Sequence, residues 1–134
     1  MTISSNSEDL FTSDNWGCLK QFSIHSQSLI RDYGKVHDSE IYCMTISFDS
    51  EYLFTSDYLG NVKKFSIREG KLCHDFGKVH ESEISVISVT PDSNYLFTSD
   101  SLGNMKQFYI SDNTLIKDYG KVHDGRILSM AISH

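Results

Sequence analysis

The sequence repeats itself every 43 residues, and no other feature limits its possible folds as strongly. Two motifs recur most regularly: Gly-Lys-Val-His at residues 34–37, 77–80 and 120–123, and Leu-Phe-Thr-Ser-Asp at residues 10–14, 53–57 and 96–100. A fixed period of about 20 to 50 residues is typical of chains in which each copy forms one supersecondary unit stacked on its neighbours. We therefore predict one repeat segment with three units, at residues 1–43, 44–86 and 87–129.

Each unit contains four short runs with the character of β-strands and no helical pattern. In the central copy these runs are Ile41–Ser47, Tyr52–Asp57, Val62–Ile67 and Leu72–Phe76. Each is rich in β-branched or aromatic residues and is bounded by Gly, Ser, Asp or Asn, which is the signature of strands. The first run occurs again as Ile127–Ser133, so we expect a C-terminal strand that begins a further unit. The stub at residues 1–4 aligns with part of that same run.

The connection between the second and third runs predicts a hairpin. It reads Asp57-Tyr58-Leu59-Gly60 in the central copy, with Asp first and Gly fourth, as type I turns prefer. The second and third runs carry apolar residues on both faces, which is expected of strands in a sheet covered on both sides. The fourth run is more polar and suits an exposed edge. Each unit is thus predicted to be a four-stranded antiparallel sheet that packs between two others.

Composition narrows the classes of function. The chain is 39% hydrophobic and 22% charged, with a net charge of −6. This balance favours a folded protein without a membrane span, and the acidity argues against nucleic acid as a partner. Cys18, Cys43 and Cys73 occupy three different repeat columns, so we expect free thiols in a reducing, cytoplasmic compartment. The histidines show no spacing typical of metal ligands, and we predict no cofactor.

The repeated unit resembles that of the WD-repeat family. A histidine precedes the first run of each unit, where the family has its Gly-His pair: His37, His80 and His123. The residues at 47–50 and 90–93 resemble the family's Ser-Pro-Asp-Gly turn, and Phe65-Ser66 stands where the family has Trp-Asp. The resemblance implies an all-β fold of propeller blades. It also implies a non-enzymatic scaffold that binds a protein or peptide.

The family joins its His to a hydroxyl, an Asp and the Trp in a buried network. Here Phe replaces Trp, and the nearest acid lies earlier, at Asp57 or Asp100. We therefore expect structural pairs of His37 with Asp57 and of His80 with Asp100, each within one blade. His123 and Asp14 are the remaining members of the two columns. We expect the nearby carboxylate to favour the charged form of each histidine.

Three blades cannot close a ring, because propellers typically have four to eight. We therefore expect a homo-oligomer, with a six-bladed dimer favoured over a nine-bladed trimer. The alternative is that the chain is a fragment, or an engineered repeat segment, of a longer propeller with no activity of its own.

The candidate partner-binding rim comprises Lys35, Lys78, Lys121, Trp16 and Tyr58. A ring of lysines at the channel mouth would attract an acidic peptide, and exposed aromatic side chains often anchor partners. The alternative is that the lysines form solvated ion pairs and that the turn tips vary freely. No catalytic motif occurs, so we predict no enzyme. An active site in the channel would require a non-repeated polar cluster.

Overall fold

The computed structural model describes residues 1–134 and contains only β-strands. The strands are β1 (Thr2–Ile3), β2 (Asp9–Ser13), β3 (Cys18–Ser23), β4 (Ser28–Lys35), β5 (Ile41–Ile46), β6 (Tyr52–Asp57), β7 (Asn61–Ser66), β8 (Lys71–Lys78), β9 (Ile84–Val89), β10 (Tyr95–Asp100), β11 (Asn104–Tyr109) and β12 (Leu115–Lys121). They form three antiparallel sheets in chain order, β1–β4, β5–β8 and β9–β12. The predicted all-β fold with three four-stranded sheets is confirmed. There is no helix that could span a membrane.

The three sheets, or blades, cover residues 2–35, 41–78 and 84–121. The predicted unit boundaries after residues 43 and 86 therefore fall inside β5 and β9. A repeat period gives the length of a unit but not the residue at which each sheet begins.

Neighbouring blades pack face to face through two apolar clusters. Between the first and second blades lie Phe11, Leu19, Ile46, Leu53, Phe65 and Ile67. Between the second and third lie Phe54, Val62, Val79, Ile84, Ile87, Val89, Leu96, Phe108 and Ile110. The same repeat columns supply both clusters, as Phe11 matches Phe54 and Phe65 matches Phe108. The middle blade is thus buried on both faces, as the pattern of its second and third strands indicates.

The inner and outer edges of the blades differ. Blades approach one another most closely at β1, β5 and β9, whereas β4, β8 and β12 lie on the outside and are largely exposed. The outer strands continue to Lys35, Lys78 and Lys121, beyond the predicted runs. A glycine with positive φ, such as Gly77 at 68°, produces an irregularity in the ladder and lets the strand continue.

The predicted C-terminal strand Ile127–Ser133 is wrong for this structure, because these residues form no strand. Ile127 is buried and its N–H lies 3.4 Å from the carbonyl oxygen of Asp100. Residues 130–133 then lie beside Tyr95 and Phe97 on the open face of the third blade. A strand needs a neighbour to accept and donate its backbone hydrogen bonds, and residues 128–133 form no backbone hydrogen bond.

The turn glycines give a prediction about folding. Gly60 has a φ of 90°, and a Cβ there would collide with the carbonyl oxygen of His80. Gly77 also has a positive φ, but a Cβ there would meet nothing. Gly77→Ala should lower the free energy of unfolding by about 1–2 kcal/mol, the penalty for an L-residue in the left-handed region. Gly60→Ala should lower it by more, measured by urea denaturation. Equal losses would mean that the backbone contact is unimportant.

Candidate functional site

The loop before each first strand is held on the preceding blade by its backbone. The carbonyl oxygen of Gly60 accepts hydrogen bonds from the N–H groups of Val79, at 2.8 Å, and His80, at 3.3 Å. In return, the His80 carbonyl rests against Gly60, where a side chain would not fit. The same arrangement joins Gly17 to His37 and Gly103 to His123. The glycine of the turn and the histidine of the loop therefore recur together for a steric reason.

The histidine side chain reaches the following blade. His37 Nδ1 lies 2.9 Å from Asp57 Oδ2, and its Nε2 lies 2.7 Å from the hydroxyl of Thr55. Both partners belong to β6. In the third blade the equivalent distances are 3.0 Å from His80 to Asp100 and 2.8 Å from His80 to Thr98. All six side chains are buried. The structure therefore brings together both predicted pairs and adds a threonine to each.

Each aspartate also organises the turn that follows it. Asp57 Oδ1 accepts hydrogen bonds from the backbone N–H groups of Leu59, at 3.0 Å, and Asn61, at 2.8 Å. The amide of Asn61 donates to Oδ2 at 3.0 Å. Burial alone would raise the pKa of Asp57, but the hydrogen bonds from His37 and Asn61 outweigh it, and the pKa is lowered. The carboxylate is thus ionised and fully bonded.

The expected charge on the histidines is corrected at His80. Burial lowers the pKa of His80 below its usual value, and this outweighs the opposing attraction of Asp100. The neutral ring donates from Nδ1 to Asp100, and Nε2 accepts from the Thr98 hydroxyl. A neutral histidine thus satisfies both neighbours without a buried positive charge.

Asp14 and His123, the outer members of these columns, are not brought together. Asp14 Oδ1 accepts from the N–H groups of Trp16 and Cys18, at 2.9 and 3.0 Å, so its turn is formed. Its Oδ2 has no hydrogen-bond partner. His123 is seated on Gly103 through its backbone, but its side chain is exposed. Asp14 and His123 therefore each supply one side of the His–Asp contact that is complete in the two interior pairs.

Two columns of lysines differ in their surroundings. Lys63 Nζ donates to the carbonyl oxygen of Val36 at 2.5 Å, and Lys106 repeats this contact at Val79. Lys35, Lys78 and Lys121 are exposed and end the outermost strands. They therefore lie at the ends of the outer strands of the blades, and the ring of lysines around the channel mouth stays a prediction.

The two aromatic residues of the predicted rim lie at turn tips. Trp16 is 72% exposed, and Tyr58 is 48% exposed. The ring of Tyr58 packs edge-on against Tyr42, with centroids 5.5 Å apart. Both remain available to a partner.

Lys64 is a buried residue that the sequence did not reveal. Its Nζ donates to the carbonyl oxygen of Ile110 at 2.7 Å and to the side chain of Asn113 at 2.9 Å. It also lies 4.3 Å from the centre of the Tyr52 ring. Burial lowers the pKa of Lys64. Glutamine occupies this column in the other blades, so no repeated pattern marked the position.

The chain has three free thiols and no cluster of potential metal ligands. Cys18, Cys43 and Cys73 are unpaired, and burial raises the pKa of the Cys43 thiol. Nowhere in the chain do three or more His, Cys, Asp or Glu side chains converge as metal ligands would.

The buried pairs predict a loss of stability on neutralising either aspartate. Asp57→Asn and Asp100→Asn should each lower the free energy of unfolding by about 1–3 kcal/mol, because a buried histidine N–H loses its charged acceptor. Thermal and urea denaturation would measure this. Asp38→Asn, at an exposed neighbour of His37, is the matched control. Wild-type stability in both variants would show that the pairs do not support the fold.

The lowered pKa of His80 predicts a pH dependence of stability. Unfolded histidine titrates near 6.5, so between this value and the lower folded pKa the unfolded chain binds more protons. The free energy of unfolding should therefore decrease as the pH falls below about 6.5. Urea denaturation across this range would measure the slope, which His80→Gln should reduce. An unchanged slope in that variant would assign the effect to other groups.

Comparison with known proteins agrees with this architecture. Residues 16–66 match the family model described as WD domain, G-beta repeat. No curated protein matches the sequence. Among solved structures, the WD40 repeats of RRP9 superpose with a TM-score of 0.86 at 16% identity, covering 92% of this chain and 38% of that one. A structure of U3-55K gives 0.86 at 16% identity, covering 92% and 39%.

A hydrazine synthase from Kuenenia stuttgartiensis gives a TM-score of 0.81 at 12% identity, covering 92% of this chain and 35% of that one. At these identities the likeness is one of fold. The chain spans less than two fifths of the length of each of these structures. The 43-residue repeat carries the matched pattern through the remainder of the sequence, and the chain has the fold of a WD-repeat β-propeller segment.

Proposed function

We propose that this chain is a non-enzymatic protein-binding scaffold that acts as a closed six-bladed propeller made of two chains. The observation that carries the proposal is the state of the two end faces. Each presents the same residue columns that build the interfaces between blades, and one end holds the aspartate of the interblade pair while the other holds its histidine.

The outer face of the first blade exposes apolar side chains whose counterparts are buried. Ile3 is 52% exposed, whereas its counterpart Ile46 is 8% exposed. Ile24 is 38% exposed, and its counterpart Ile67 is 8% exposed. A large apolar side chain left in water forfeits about 1.5–3 kcal/mol. Burial of this face by another blade is therefore strongly favoured.

The open face of the third blade is the complementary surface. Val122 is 42% exposed, although its counterpart Val79 is buried. Phe97 is only half-buried, whereas its counterpart Phe54 has no exposed surface. This face corresponds to the side of the second blade that contacts the third. If the first blade of a second copy packed on this face, it would contact the same repeat columns that already pack between neighbouring blades of one chain.

His123 and Asp14, which have no partner for a His–Asp pair within the chain, also support contact between the third blade of one copy and the first blade of another. His123 is seated by its backbone as His37 and His80 are, with its side chain at the open face. A second copy would present Asp14 and Thr12 in the columns of Asp57 and Thr55. A two-fold axis along the channel forms both junctions at once and closes the ring. Six blades lie within the usual range of four to eight, whereas nine do not.

The scaffold role follows from how the polar residues are used. The most elaborate polar groups, the His–Asp–Thr sets, occur in matching geometry in two blades and are buried. Repeated, inaccessible groups of this kind stabilise a fold, while the exposed turn tips and outer strands remain available to partners. The likeness to WD repeats favours protein binding, although a fold alone does not specify function.

Light scattering at micromolar concentration tests the assembly. We expect twice the 15.3 kDa mass of the chain. Phe22→Asp, on the outer face of the first blade, and His123→Ala should shift the protein towards monomer. Leu115→Asp, exposed on an outer strand, is the control and should leave the mass unchanged.

A wild-type monomer would contradict the ring of two copies. It would favour the alternative in which further blades of a longer polypeptide cover these faces. A mass of three chains would contradict the six-bladed form.

A further inference from the structure

A groove lies between the outer parts of the first and second blades. It encloses about 460 Å³. We call it the first groove; its walls include Arg31, Tyr33 and Lys35 from β4, Lys63 from β7, and Lys71 and Leu72 from β8. Both walls belong to one chain, so the groove exists whether or not the ring closes.

The first groove is positively charged in a chain with a net charge of −6. Four basic residues line it, with Asp32 as the single acid. The Asp32 carboxylate accepts a hydrogen bond from the Gly34 N–H at 2.9 Å and so supports the bulge of β4. Neither Arg31 nor Lys35 forms an ion pair. Lys71 pairs with Glu69 at 3.3 Å, but both side chains are more than half exposed. These cations can therefore bind an external anion.

The base of the groove is apolar and aromatic. The Tyr33 ring packs edge-on against Phe65, with centroids 5.6 Å apart. The Arg31 guanidinium lies 5.9 Å from the centre of the Tyr33 ring. Leu72 is 45% exposed. An apolar side chain could rest here while neighbouring carboxylates meet the cations, which is a combination that a peptide offers and a small anion does not.

The groove is not a product of the repeat. Arg31 is replaced by His74 and Lys117 in the other blades, and Lys71 by Ser28 and Thr114. Gly70 is replaced by Gln27 and Asn113. A side chain at Gly70 would collide with the Arg31 guanidinium, so the glycine makes room for the arginine. Folding of a blade requires none of these three residues, because the third blade forms without them.

The corresponding columns between the second and third blades carry less positive charge. His74 stands in the column of Arg31, and Thr114 stands in the column of Lys71. Lys78 and Lys106 keep the other two positions, and the Lys106 amine already donates to the Val79 carbonyl. The same fold therefore gathers four basic side chains in the first groove and only two lysines in the corresponding place.

We infer that the first groove binds an acidic, extended segment of a partner protein, in which carboxylates flank an apolar side chain. This rests on the proposed protein-binding role and names the chemistry of the partner. Arg31 and Lys35 would bind the carboxylates, and Tyr33 and Leu72 would contact the apolar side chain. Charge-assisted hydrogen bonds from arginine are well suited to such recognition.

A labelled peptide tests the inference directly. A short fluorescein-labelled peptide of alternating Glu and Leu should bind the wild-type protein, as measured by fluorescence anisotropy. The affinity should fall as salt is added, because exposed charges are screened. A peptide of alternating Lys and Leu should not bind.

Single charge reversals locate the site. Arg31→Glu and Lys35→Glu should each weaken binding by about tenfold or more, as expected for loss of one hydrogen bond to a charged group. Lys78→Glu is the matched control, because Lys78 occupies the same repeat column as Lys35, on the second blade, and is 52% exposed. It should leave the affinity within about twofold of wild type. Circular dichroism would verify that every variant is folded.

The outcomes separate this inference from the proposed ring. The inference that the first groove binds an acidic segment would be overturned if the Glu–Leu peptide did not bind. It would also be overturned if Lys78→Glu and Lys35→Glu weakened peptide binding equally. If a single-stranded oligonucleotide displaced the labelled peptide at a lower concentration than unlabelled peptide does, the groove would be assigned to nucleic acid. This result would also overturn the inference. A dimer that does not bind the peptide would contradict the groove inference but would support the proposed ring. A monomer whose peptide binding depends on Lys35 would support the groove without the ring.

Discussion

The double attachment of each interblade loop is the constraint on which the structure depends. The loop backbone is fixed to the turn glycine of one blade, and the histidine side chain is fixed to a threonine and an aspartate of the next. The aspartate also holds its own hairpin turn. One residue thus links two blades and two turns, with little freedom in any direction. The spacing between blades is set by this linkage, and the apolar clusters fill the space that it leaves.

The same linkage explains why the two end faces are already arranged for packing against another blade. At the third blade the backbone half of the attachment is complete, since the His123 and Val122 N–H groups bond to the Gly103 carbonyl. At the first blade the turn half is complete, since Asp14 already binds its turn. Neither half depends on the junction being formed. The two ends are therefore preorganised surfaces, and association would require little rearrangement beyond residues 127–133.

Much of the fold could be predicted because the repeat makes each strand visible three times. The Asp–Gly spacing predicted the hairpins, and the shared columns predicted the partners of His37 and His80. Thr55 could have been predicted too, since it lies on the same face as Asp57 and two residues away, and it is threonine in every copy. No strand forms at 127–133 in the single chain, because a pattern shows what a segment can form, whereas a strand also needs a neighbour.

What the sequence could not reveal depends on contacts between residues that do not repeat. Lys64 is buried because Asn113, in the turn after the next blade's third strand, offers it an oxygen. Arg31 meets Gly70 across two blades, and no spacing in the chain predicts that contact. A repeat pattern shows only the residues that all copies share, and these are the residues that every blade needs for folding. Residues that depart from the pattern are released from that requirement, and in this chain several of them meet in the first groove. The division between repeated and unique residues therefore separates the parts that build the propeller from those that can distinguish one partner from another.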